Sequence, residues 1–401
     1  MLKPGSYILW LASWYPNKID PFAGDFIQRH AKAASIFVPL TVFYVSQAGI
    51  RHEVENNLYE EKQNGNLTEV IILFKFRKTG FQLADKIIYN FAYYRTYRKA
   101  IRQYFQKTGI PSTVHVHVPV KAGGIALWIK RRWGIPYFVT EHSTHYKTGT
   151  EHDFLKRSYI FRSRVAEIFK NASAVTNVST TMGNIVRSIF NLPSPVIINN
   201  TVDEHLFFSD NKIVKPFRFI HVSTLIEEHK NVQGIIRSVA LLAAKRNDFD
   251  IVIVGPATET LRMQIEKNEL KKIIQFTGEI SYPAVAIEMQ KASALLLFSW
   301  YENSPCVIGE ALCCGLPVLS SEVGGISELI NESNGLLVRA GDEHELATAM
   351  EQMIDTYSKF DKPVIAEQAK QKFSYPVIGK KFYELYRNQL EILQANNKTG
   401  N

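Results

Sequence analysis

Glu302 and Glu310 are two carboxylates eight positions apart in the segment Phe298-Ser-Trp-Tyr-Glu302-Asn-Ser-Pro305-Cys-Val-Ile-Gly-Glu310. Ala311-Leu-Cys-Cys-Gly315-Leu-Pro317-Val follows, and then Gly324-Gly325-Ile-Ser-Glu328. A carboxylate accepts hydrogen bonds from adjacent hydroxyls, so such a pair suits a polyhydroxylated ligand. The local signals say where each acid sits. The apolar run Ala294–Phe298 reads as a buried strand, Ser304 as a helix N-cap with Pro305 at the first helical position, and Gly315 as the helix end. Glu302 then falls on the strand-to-helix loop and Glu310 inside the helix. The first amides of that helix, on Cys306 and Val307, would face a phosphate, and Gly324-Gly325 offers a second anion nest. Three further groups carry chemistry: Lys230 in His221-Val-Ser-Thr-Leu-Ile-Glu-Glu-His-Lys230-Asn231, the alternating His115-Val-His117, and Glu141-His142-Ser143.

The elements that hold these residues alternate. In the first half, strands are expected at Tyr7–Ala12, Leu40–Tyr44, Val70–Leu73, Val114–Val118, Tyr137–Thr140, Ala174–Val178 and Val196–Ile198. In the second they are expected at Phe217–Val222, Asp250–Val254, Ile274–Thr277, Ala294–Phe298 and Pro317–Ser320, with helices at Ala84–Lys107 and Lys230–Lys245. This is the pattern of βα units and parallel sheets. At 401 residues the chain is long enough for two such domains. The turn-rich stretch from Asn199 to Pro216 is the natural boundary. The expected fold is α/β, two Rossmann-like doubly wound domains facing across a cleft, with ligands at the carboxyl ends of the strands. The first domain is assigned 1–203, with a C-terminal helix at 375–395 packing back onto it, and the second 204–374.

The 298–328 segment resembles the donor-site signature of the retaining glycosyltransferases of family four: Glu-x7-Glu, Ala-Leu-x-x-Gly-x-Pro-Val, then Gly-Gly-x-x-Glu. The resemblance extends to the loop carrying Lys230, to Asn199-Asn-Thr-Val-Asp203, to Trp14-Tyr-Pro16 with Gly24, and to His115-Val-His117-Val-Pro119. It implies a GT-B fold and a hexosyltransferase-type activity on a nucleotide sugar. Glu310 would bind ribose hydroxyls, Glu302 sugar hydroxyls, and Lys230 the departing diphosphate. Gly24 would allow close approach to the phosphates, and His117 would sit near the transferred sugar. Glu141 and His142 would lie on the acceptor side. No metal and no other cofactor is expected, since no Asp-x-Asp-type pair is present. Two positions depart from the family. Thr224 stands where an arginine is usual, leaving a diphosphate contact missing or supplied by Arg29 or Lys147. Asn303-Ser304-Pro305 replaces Gly-Phe-Gly, and Pro305 has no N–H to offer.

Composition bounds the rest. The chain is 46% apolar and 21% charged, as in ordinary globular proteins. No apolar run reaches the ~20 residues of a membrane span. Met1 to Pro16 reads as a first strand rather than a secretory leader. Cys306, Cys313 and Cys314 lack the number and spacing of a disulfide or zinc framework, which points to a cytoplasmic protein. Charge is uneven, +14 over residues 1–200 and −5 over 201–401. Phe74–Lys78, Tyr93–Lys99 with Arg102, and Lys130–Trp133 interleave cations with aromatics. That mixture suits an anionic membrane surface on the inner leaflet; no nucleic-acid motif is present. The expected reaction moves a sugar from a UDP- or GDP-linked donor to a hydroxyl of a glycan or lipid-linked acceptor, in cell-surface polysaccharide or glycoconjugate synthesis. Its rivals are an epimerase or phosphorylase, and a non-catalytic partner subunit that binds nucleotide or glycan.

Overall fold

The computed structural model describes residues 6–48, 58–76, 78–143, 145–146, 153–210 and 215–399. Contacts divide the chain into two units, Met1–Ile198 with Tyr375–Asn401, and Asn199–Ser374. In the first, β1 (Ile8–Ala12), α1 (Asp25–Ser35), β2 (Leu40–Gln47), β3 (Leu58–Asn64), β4 (Leu67–Phe74) and α2 (Gln82–Thr108) lead to β5 (Thr113–His117). Then come α3 (Pro119–Trp133), β6 (Tyr137–Glu141), α4 (Tyr159–Lys170), β7 (Ala174–Asn177), α5 (Thr180–Phe190) and β8 (Val196–Ile197). The sheet order is β3-β4-β2-β1-β5-β6-β7-β8. Every strand pairs in parallel except β3, which pairs antiparallel with β4 through a turn at Gly65 (φ 56°). The periodicity gives no strand at β3. Its Glu-Glu-Lys-Gln-Asn tail is polar and exposed, as suits an edge that must not pair further.

The central strands β1, β5 and β6 are buried along their whole length, so β1 reads as a continuous apolar run, while β5 alternates valine with buried His115 and His117. One side of the sheet is covered by α2, α3 and α4, the other by α1 and the C-terminal helix. A Cβ added at Gly379 would lie 2.1 Å from the Ala33 carbonyl oxygen of α1, so only glycine permits this helix crossing. From the same C-terminal helix, the Tyr386 hydroxyl accepts from Trp10 Nε1 at 2.9 Å and bonds His115 Nδ1 at 2.6 Å.

The second unit contains β9 (Phe217–Val222), the short helix α6 (Glu227–Lys230), α7 (Val232–Ala243), β10 (Phe249–Val254), α8 (Glu259–Lys267) and β11 (Ile274–Gly278). It continues with α9 (Tyr282–Gln290), β12 (Ala294–Leu297), α10 (Cys306–Cys313), β13 (Val318–Ser321), β14 (Gly335–Val338), α11 (Glu343–Asp355) and α12 (Lys362–Phe373). The C-terminal helix is α13 (Tyr375–Thr399). The order β11-β10-β9-β12-β13-β14 is all parallel. In each sheet the order reverses once, between β1 and β5 and between β9 and β12. A crevice opens at the carboxyl ends of such strand pairs, where ligands of this fold bind. The ends of β5, β9 and β12 carry His117, the Lys230 loop and the Glu302 loop.

Candidate functional site

In the second domain, Ser223 Oγ accepts from the Leu225 amide (3.1 Å) and sends the chain off β9. Buried His221 braces the turn. Its Nδ1 donates to the Leu296 carbonyl of β12 at 2.9 Å, which leaves Nε2 to accept from Ser223 Oγ at 2.7 Å. Burial pushes this imidazole down to about 4. The turn α6 ends at Asn231 in left-handed backbone (φ 48°) and delivers Lys230. Its Nζ meets Glu302 Oε1 at 2.5 Å, and Ser299 Oγ donates to the same oxygen at 2.8 Å. The two side chains are only 19% and 10% exposed, so this ion pair is partly desolvated. Thr224 is exposed on the same loop and supplies no cation. Arg29 lies on α1 of the first domain, its guanidinium on Asp25 at 2.7 Å. Lys147 is outside the described residues.

The helix after β12 begins one residue later than expected. Pro305 is the cap in extended backbone (ψ 125°), and Ser304 makes no capping bond. Instead the Ser304 carbonyl accepts from Asn200 Nδ2 at 2.7 Å. Cys306 and Val307 are thus the first amides of α10, at the positive end of its dipole. Glu310 is buried among Ile308, Ala311 and Leu312, and the Tyr282 hydroxyl of α9 donates to its Oε1 at 3.2 Å. Tyr282 packs on Phe207 and also orients this acid. Gly315 (φ 74°) follows the helix as expected. Gly324 (φ 57°) lies against the Glu302 loop, where a Cβ would come within 1.8 Å of the Glu302 carbonyl oxygen. The Gly325 amide donates to the Asn303 carbonyl at 3.0 Å, so it braces that loop instead of serving as an anion donor.

In the first domain, His117 ends β5 and is fully buried. Its ring lies 4.0 Å from Trp10, and its Nδ1 is 3.2 Å from His142 Nε2. His142 packs between Phe26 and His30 of α1. Burial, reinforced by the neighbouring histidines, holds His117 and His142 well below the ordinary imidazole value. His115 shares their strand face but is tied to Tyr386 and, at 2.7 Å, to Thr140, and burial pushes it down to about 3. Glu141 is fully buried. Its Oε1 accepts from the amides of His142 (2.9 Å) and Ser143 (2.7 Å), and its Oε2 from the Tyr146 hydroxyl (2.9 Å). Burial pushes its carboxyl up to about 7. Gly24 is left-handed (φ 63°) before α1, where a Cβ would meet the Trp14 backbone at 2.6 Å.

His30 of α1, which no motif marks, belongs to the same cluster. Ring nitrogens of His30, His117 and His142 lie within 4.8 Å of one another, a set that could hold a metal ion. Tetrahedral zinc with Zn–N of ~2.0–2.1 Å needs nitrogens roughly 3.4 Å apart. His117 Nδ1 and His142 Nε2, 3.2 Å apart, instead share a hydrogen bond that uses the lone pair a metal would need.

Two family models divide the chain between them. Residues 41–206 match "Glycosyltransferase Family 4" and residues 202–372 match "Glycosyl transferases group 1". The chain is a glycosyltransferase of the family-four type. An uncharacterized glycosyltransferase of Methanocaldococcus jannaschii is 24% identical over 79% of this glycosyltransferase and 87% of the relative. A putative teichuronic acid biosynthesis glycosyltransferase of Bacillus subtilis is 24% identical over 61% and 62% of the two chains. Among solved structures, Anabaena HepE in complex with UDP-glucose superposes with a TM-score of 0.67 at 17% identity, over 95% of this chain and 100% of that one. The glycosyltransferase therefore has the GT-B fold, with two Rossmann-like domains.

Proposed function

We propose that the enzyme transfers a sugar from a nucleoside-diphosphate sugar to a hydroxyl of a glycan or lipid-linked acceptor, with retention at the anomeric carbon. The observation that carries this is the Lys230–Glu302–Ser299 cluster at the β9–β12 switch point, with Glu310 and Tyr282 held beside it. The carboxylates suit hydroxyls of sugar and ribose. The ammonium and the first amides of α10, at Cys306 and Val307, suit a diphosphate. In the reaction the bond between C1 and the diphosphate oxygen breaks, and a bond from the acceptor oxygen to C1 forms on the same face. The acceptor proton passes to the leaving diphosphate. Lys230 then moves from Glu302 toward the charge that develops on that diphosphate, which frees Glu302 to accept from sugar hydroxyls.

His117 and His142, neutral through burial, serve as hydrogen-bonding groups on the acceptor side. Glu141 acts indirectly by shaping the loop that holds His142. The Bacillus relative supports a role in cell-surface polysaccharide synthesis, and three cysteines outside any disulfide fit a reducing cytoplasm. HepE makes UDP the first nucleotide to test. The experiment is nucleoside-diphosphate release from a panel of UDP- and GDP-sugars, with and without acceptor. Tight binding of one donor without release from any would instead assign a non-catalytic, nucleotide-binding partner subunit.

A further inference from the structure

The aromatic and basic residues that interleave in the sequence mostly meet one another. Tyr93 and Tyr97 are buried, Arg98 and Arg102 each lie 5.4 Å from the Trp128 ring, and Trp133 packs edge-on against Trp128. Part of the Phe74–Lys78 stretch, Arg77, is outside the described residues. A different surface is left uncovered. Helix α2 buries Tyr93, Tyr97, Ile101, Tyr104 and Phe105, and no residue of its first eleven. Those first turns present apolar side chains to solvent instead: Phe81 just before the helix is 76% exposed, Leu83 74%, Ile87 63% and Phe91 65%. Ile87 and Phe91 are four apart and share a helix face.

Cations surround this apolar ridge. Lys86 is exposed within it, and a groove of about 640 Å³ beside Phe91 is lined by Lys75, Arg95 and Lys99. The lone acid of those turns, Asp85, accepts from the Thr79 amide and hydroxyl at 2.6 and 2.7 Å. Arg164 of α4 lies 5.1 Å from the Tyr94 ring, which joins α4 to the same surface. At the start of α4, Tyr159 and Ile160 are 76% and 80% exposed, next to Arg157. Both helices follow strands that run toward the carboxyl edge of the sheet, the edge that carries His117 and His142.

We propose that this face, the first turns of α2 with the start of α4, docks the first domain on an anionic lipid bilayer. Large apolar side chains enter the acyl boundary while the ring of Lys and Arg meets acidic headgroups. Charge decides against a second copy of the chain, because self-association would set these cations against one another. The proposal rests on the reading of a lipid-linked acceptor and places that acceptor's bilayer beside the acceptor-side histidines.

The test is cosedimentation of the full chain with vesicles of phosphatidylcholine alone or with one part phosphatidylglycerol to two parts phosphatidylcholine. The expected result is pelleting with the anionic vesicles only, reversed by high salt. Ile87→Glu/Phe91→Glu should lower partitioning at least about tenfold, the loss of two buried apolar side chains. The variant's melting temperature and its nucleoside-diphosphate release with a soluble acceptor should stay unchanged. Wild-type protein that remains in the supernatant, equal pelleting with neutral vesicles, or a variant that pellets as wild type overturns the proposal. So does a dimer that the double substitution dissolves while vesicles remain unbound. Nucleoside-diphosphate release is read separately, so failed docking and failed transferase chemistry give different results.

Discussion

Replacing Lys230 by alanine separates the structural and chemical roles of one ion pair. At 2.5 Å and an effective dielectric of ~20, the pair with Glu302 carries a gross attraction of about 6–7 kcal/mol, most of it offset by desolvation. Lys230→Ala leaves a carboxylate that is 10% exposed with only Ser299 Oγ and solvent to hold it. The expected destabilisation is about 2–3 kcal/mol, short of the full buried-pair penalty because Ser299 remains. In a domain of this size that lowers Tm by roughly 4–12 °C. Turnover should fall further than stability predicts, by about 10²–10³-fold, because the departing diphosphate loses its cation. The double variant Lys230→Ala/Glu302→Gln removes the stranded charge. Its Tm should recover most of the loss while turnover stays low. Calorimetry and nucleoside-diphosphate release at saturating donor measure both. A Lys230→Ala enzyme within about fivefold of wild type would refute the assignment of the lysine to the leaving group. A double variant as unstable as the single would refute the buried-charge argument.

Glu310→Ala should weaken nucleotide affinity by about 10–100-fold, the loss of one or two hydrogen bonds to a charged acceptor. Tyr282→Phe should cost only a few-fold, since it removes an orienting bond; equal losses by titration calorimetry would contradict this ordering. Gly324→Ala, with φ 57° and a Cβ 1.8 Å from the Glu302 carbonyl, should displace the Glu302 loop, lowering stability by about 1–3 kcal/mol and turnover with it. A fully active, equally stable Gly324→Ala enzyme would show that the close approach is dispensable. Thermal stability should fall as pH drops below about 6.5. His115, His117, His142 and His221 have folded values below the unfolded one, so the unfolded chain binds more protons in that window. Glu141 works in the opposite sense, because its raised value makes the folded chain bind more protons between about 4.5 and 7, but it is one group against four. A Tm unchanged from about pH 7.5 down to about pH 5, a range that brackets the unperturbed imidazole value of roughly 6.5, would exclude this account.

The parallel strands were legible because each is a short run between turn signals, and the Lys230 turn, the Glu302 loop and the helix bearing Glu310 follow from where those runs stop. Strand β3 was not, because an edge strand carries charges where a core strand carries valine and isoleucine. Four-residue β14, with glycine first, gives too little pattern to read. Pairings distant in sequence were equally hidden. Tyr282 reaches Glu310 from another helix, and His30 joins His117 and His142 only once α1 lies over the sheet. The basic character of the first half was correct as a sum. Which aromatic residues face solvent depends on how α2 packs, and composition could not give that.

Helix α13 is made after every other described element, yet β1 needs it. Trp10 of β1 and His115 of β5 both complete their hydrogen bonding on Tyr386, more than 370 residues after Trp10. The second domain, by contrast, is a single uninterrupted stretch whose two ends meet. The Val202 amide and Thr201 hydroxyl both donate to the Phe373 carbonyl, at 2.9 and 2.8 Å. During synthesis every residue of the second domain is therefore made before Tyr386, on which Trp10 and His115 complete their hydrogen bonding. A chain stalled before α13 would hold all of the second domain and only part of the first.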